Sequence, residues 1–195
     1  MNSIKFPLRL LLALLMVAPV AAHEPPDPVQ VWWDSISALC GKAFPGTLEM
    51  APEGDTGFLD KDLVMHVRDC TSTRIRIPFI VGDNRSRTWV LTRHGDRIEL
   101  KHDHRHEDGS PDAITQYGGT SSNAGSSQAQ MFPADDATSE RLPGSGLRSV
   151  WLMEIDSPKR FIYAANRVGT DRAFRIAFDL TRPVQVPEAP WGWQH

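Results

Sequence analysis

The sequence predicts an all-β protein: an antiparallel meander forming a lipocalin-like barrel or a curved sandwich, with one short N-terminal helix and an extended Pro/Trp tail. Three observations carry this. From Phe44 onward, short runs alternate apolar and polar residues, as in Ile75, Ile77, Phe79 and in Phe174, Ile176, Phe178, Leu180. Turn signals such as Gly82-Asp83-Asn84, Gly95-Asp96 and Gly169-Thr170-Asp171 separate the runs, so about eight to ten strands follow one another largely through hairpins. No segment repeats with a period of roughly 20 to 50 residues, which excludes solenoids and propellers.

A chain of 195 residues suits one core. The expected division is a signal peptide over residues 1–22 and a single β domain over 23–195, with 183–195 as its tail. Lys5 and Arg9 form a positive start, Leu10 to Val20 an apolar run, and Val20-Ala21-Ala22 a small-residue cleavage site. That run is short for a membrane span and no later stretch is better. The mature chain is therefore expected to be soluble and exported, periplasmic or extracellular, without stable membrane insertion. Removing Lys5 and Arg9, and no acids, takes the formal charge from −3 to −5. With no basic stripe, nucleic acid is not an expected partner. Cys40 and Cys70 both fall in the exported part and read as one disulfide.

Asp27 is placed to cap a helix with Pro28 at its first position, and Val29, Trp32, Trp33, Ile36, Leu39 and Cys40 recur at helical spacing until Gly41. Strands are expected at Thr47–Met50, within Lys61–Asp69, and over Arg74–Val81, where Pro78 implies an edge position or a bulge. Arg87–Arg93 and the segment from Arg97 then form a hairpin. A two-residue loop at Gly95-Asp96 pairs His94 with Arg97, Leu91 with Leu100, Trp89 with His102 and Arg87 with His104. This register sets Trp89 and Leu91 beside Ile98 and Leu100. Further strands are expected at Ile114–Tyr117, Gln128–Phe132, Val150–Asp156, Arg160–Val168 and Arg172–Leu180. Gly118–Ser127 reads as a mobile Gly/Ser loop and Ala134–Gly146 as mostly loop. Pro183, Pro187 and Pro190 keep the tail extended, and Trp191 and Trp193 favour laying it on the sheet.

The pattern F-D-L-x-x-P-V-x-x-P-x-x-P-W-G from Phe178 to Gly192, with the H-D-H-R-H stretch and Tyr117-Gly118-Gly119, resembles uncharacterised secreted proteins of bacteria. The resemblance spans most of the mature chain and brings no known activity.

Chemistry concentrates in R-I-E-L-K-H-D-H-R-H-E-D-G, Arg97 to Gly109. Strict alternation continues the apolar face of Ile98 and Leu100 into His102, His104 and His106. Neutral imidazoles suit a divalent transition metal such as zinc. Same-side neighbours on an ideal strand stand about 6.5 to 7 Å apart, so the metal reading rests on His102 and His104 with a third ligand from elsewhere. His94, Glu107, Asp108 and Tyr117 are conceivable completions. Arg87 facing His104 disfavours imidazolium and equally suits an anion-binding mouth, with Trp89, Arg87 and His106 as ligand contacts.

Known motifs fit poorly. The metallo-β-lactamase-like H-x-H-x-D-H lacks its aspartate. The cupin pattern has six residues in place of five between Gly95 and His102, with Asp108 where a glutamate belongs. No nucleophile elbow or nucleotide loop occurs. The primary reading is an exported barrel that binds a small molecule or divalent metal, with binding favoured over catalysis. The alternatives are a cupin-like metal-dependent enzyme and an envelope interaction protein whose histidines are incidental. Protein partners are not legible.

Overall fold

In a computed structural model, the structure describes residues 26–142 and 144–193; the predicted signal peptide lies outside the described residues. Helix α1, Pro28–Ser37, starts as the sequence requires: Asp27 accepts a hydrogen bond from the Val29 amide (3.0 Å), and Val29, Trp32, Trp33 and Ile36 form its buried face. A turn follows in which Gly41 has φ +81°, a conformation that favours glycine.

Among the described residues, eleven strands follow: β1 Ala43–Met50, β2 Leu63–His66, β3 Asp69–Cys70, β4 Arg74–Val81, β5 Asn84–His94, β6 Arg97–His104, β7 Tyr117–Thr120, β8 Ala129–Pro133, β9 Ser149–Ser157, β10 Arg160–Arg167 and β11 Ala173–Asp179. A second helix, α2 Asp136–Arg141, lies between β8 and β9. All pairings are antiparallel, in the order β7-β6-β5-β4-β2-β1-β11-β10-β9-β8, with β3 also on β4. The sheet curls into a nearly closed barrel whose inward side chains form one core with α1.

The two ends of the sheet, β7 and β8, meet at Gly118-Gly119, where the sequence predicts the start of a loop, and the strand predicted over Ile114–Tyr117 lies instead at Tyr117–Thr120. Tyr117-Gly118-Gly119 pairs with His102, Lys101 and Leu100, and the chain crowds these glycines from both sides. A Cβ on Gly118 would stand 1.9 Å from the Leu100 carbonyl oxygen, and one on Gly119 1.8 Å from that of Pro133. Thr138 of α2 fastens the join: its hydroxyl accepts from the Gly118 amide (2.6 Å) and donates to the Gly118 carbonyl (2.8 Å). The glycines are thus strand residues chosen for close backbone approach. The Ala134–Gly146 stretch likewise contains α2, capped by Asp135, in place of the expected loop.

Pro78 sits in an interior strand, not an edge. It is tolerated because β2 pairs only with Phe79–Val81 and β3 only with Arg76 and Ile75, leaving the ladder interrupted beside the proline. The register of β4 against β5 also shifts between Phe79 and Val81. Cys40 and Cys70 form a disulfide (S–S 2.03 Å) that ties the turn after α1 to β3. The tail is extended as expected. Val184 bridges to Ala43, the Trp191 amide donates to the Arg85 carbonyl (3.2 Å), and the Arg76 guanidinium lies 4.8 Å from the Trp193 ring centroid.

Candidate functional site

The β5–β6 hairpin has the register that alternation requires: His94 pairs with Arg97, Leu91 with Leu100, Trp89 with His102 and Arg87 with His104. The inward face therefore changes character along the hairpin. Near the turn it is Leu91, Ile98 and Leu100, all fully buried. α1 packs at that end, where Arg93 reaches Gln30 (2.6 Å). Toward the other end it becomes Trp89 and His102, then Arg87 and His104.

These last four residues line a cavity of about 290 Å³. Trp89 stacks on Phe79 (4.9 Å between centroids) and lies 4.2 Å from Tyr163 of β10. Phe58, Phe174, Trp151 and Tyr117 complete an aromatic wall. Asp55 and the exposed Arg172 add charge to it.

His102 is 2% exposed and has a partner at each ring nitrogen. Only a protonated nitrogen can bond a carbonyl, so Nδ1–H donates to the Tyr117 carbonyl (3.0 Å). Nε2 then carries the lone pair, and the Tyr163 hydroxyl donates to it (2.6 Å). Burial favours this neutral form, pushing the His102 pKa down to about 3 and that of Tyr163 well above the usual phenol range. His104 Nε2 shares a hydrogen bond with the Tyr117 hydroxyl (3.2 Å). Burial, with Arg87 adding to it, lowers the His104 pKa to about 4. Tyr117 is raised to about 12, again by burial.

Arg87 is half-buried, and desolvation lowers its pKa. Its Nη1 donates to Asn84 Oδ1 (2.9 Å) and weakly to Ser86 Oγ (3.5 Å). Among the described residues, no carboxylate forms an ion pair with it.

Of the residues singled out in the sequence, Arg87, Trp89, His102, His104 and Tyr117 thus share one wall. His106 does not. β6 ends at His104, Arg105 bridges to Pro111, and His106 is exposed where the chain turns away. His94, Glu107 and Asp108 also lie off the wall. Among the described residues, no three His, Cys, Asp or Glu side chains gather into a group able to hold a metal. The sequence singles out neither Tyr163, Trp151 nor Phe58, and marks Phe174 only as part of a half-buried strand. Tyr163 lies on the strand expected over Arg160–Val168, but its position beside Trp89 depends on barrel closure.

A comparison with protein-family models gives no match, and neither a search of curated proteins nor one of solved structures gives a match.

Proposed function

We propose that this chain is an exported barrel protein that binds a small organic molecule in its interior. The observation that carries the reading is the cavity: a concave aromatic wall into which a few polar groups converge, the usual composition of a small-molecule site. Its volume, about 290 Å³, corresponds to about ten water molecules at their liquid volume. The occupant is accordingly a compact molecule with an apolar or aromatic body. The hydrogen-bonded His102–Tyr163–Tyr117 group holds the wall in one arrangement before the ligand arrives. Export rests on the N-terminal signal pattern, with which the disulfide is compatible.

The test uses the two tryptophans on the wall, Trp89 and Trp151. Small aromatic compounds, neutral and ionised, are titrated against the mature protein, following tryptophan fluorescence and thermal unfolding. Saturable quenching with a raised melting temperature is expected for some members, and is lost when His104→Trp fills the cavity. If no compound saturates at millimolar concentration, the reading is wrong.

A further inference from the structure

We infer that the cavity takes a small aromatic monocarboxylate, its carboxylate held by Arg87 and its ring by the aromatic wall. This rests on the binding reading above and names the class of ligand.

Both described side-chain bonds of Arg87 use Nη1, directed to Asn84 and Ser86. Those bonds fix the group from one side. Its Nε–H and Nη2 edge has no protein partner among the described residues. That edge is the one that receives two carboxylate oxygens in parallel. A half-buried cation without a carboxylate partner is costly, so ion pairing by a ligand is favoured.

The neighbouring groups agree in sign. His102 and His104 are neutral, and Tyr117 and Tyr163 keep their protons, so none opposes an anion. Asp55 is the only acid on the wall among the described residues, and one of its oxygens accepts the Gly57 amide (2.8 Å). Arg172 balances it. The wall therefore carries one net positive charge inside a chain whose formal charge is −3. A single net charge suits a monoanion better than a phosphate dianion, which binding sites meet with several donors and cations.

Size and shape supply the rest. A cavity with room for about ten water-sized units accommodates one ring and a carboxylate. Phe58, Tyr117 and Phe174, partly exposed on the wall, offer faces and edges to that ring, with Trp89 and Tyr163 packed behind them.

The experiment is calorimetric titration of the mature protein with benzoate, phenylacetate and 4-hydroxybenzoate, each paired with its neutral amide. At least one acid is expected to bind about tenfold or more tightly than its amide. Arg87→Gln should abolish that preference, and Arg87→Lys should restore it only in part because the fork is lost. Equal binding of acid and amide by the unaltered protein overturns the assignment while the cavity reading stands. Acid binding unchanged in a folded Arg87→Gln protein overturns it too. If neither acids nor amides bind, the cavity reading fails and this assignment with it. Should Arg87→Gln not fold, the acid-to-amide ratio of the unaltered protein decides alone.

Discussion

His102 on β6 and Tyr163 on β10 meet across the barrel interior through a 2.6 Å hydrogen bond between Nε2 and the phenol oxygen. With Nδ1 bound to the Tyr117 carbonyl, the imidazole is satisfied at both ends and joins three strands that are not all neighbours in the sheet. A buried polar group so fully used is inexpensive as it stands and expensive to disturb.

Tyr163→Phe removes the donor and leaves Nε2 buried and unsatisfied. A loss of about 1–3 kcal/mol is expected in urea unfolding. His102→Leu with Tyr163→Phe should cost less than the two single changes added together, because the second change no longer strands a partner. Strict additivity would show that the bond does not couple the two strands.

The two wall histidines should make stability depend on pH. Folded pKa values of about 3 for His102 and about 4 for His104 lie below the unfolded value of 6.5. Between those limits the unfolded chain binds more protons than the folded one, so stability rises with pH. The contribution is complete above about pH 6.5 and is lost on acidification toward pH 4 and 3, with a slope approaching 1.4 kcal/mol per pH unit for each histidine, about the limit for one proton. Urea midpoints from pH 7 to pH 4.5 check this, and His104→Gln should flatten the dependence. A midpoint constant over that range would contradict buried neutral imidazoles.

Gly119→Ala drives a methyl group into the Pro133 carbonyl, against backbone that cannot rotate away. Opening of the β7–β8 join is expected, with a loss of about 3 kcal/mol or more in denaturant unfolding. Gly57→Ala is the control, since its added Cβ would meet only the side chain of Asp55, at 3.0 Å. Equal stability of the two variants would contradict a closed join at this site.

Reduction of Cys40–Cys70, or Cys40→Ser with Cys70→Ser, releases a closed loop spanning a sequence separation of 30. The expected loss is about 3–4 kcal/mol in the chain-entropy account. Unfolding with and without reductant measures it. The cavity lies on the β5–β6 wall away from this link, so ligand affinity in the folded fraction should not change.

Much of this molecule follows from short-range pattern. Alternation from Ile98 to His104 determined which side chains face inward, because successive strand residues point to opposite faces. The two-residue turn at Gly95-Asp96 then determined the register that sets Trp89 opposite His102 and Arg87 opposite His104. The caps of α1 and the final meander are equally local. Local pattern could not show that Tyr163, far along the chain, completes the bonding of His102, since that contact exists only once the sheet curls round. Nor could it show that Gly118 and Gly119 are strand residues, because their reason is the backbone packed against them. His106 belongs to the same alternation as His104, yet its exposure was decided by where β6 loses its neighbour. Tertiary structure thus decided what the inward residues meet, for closure of a barrel depends on pairings between distant strands rather than on the period within any one of them.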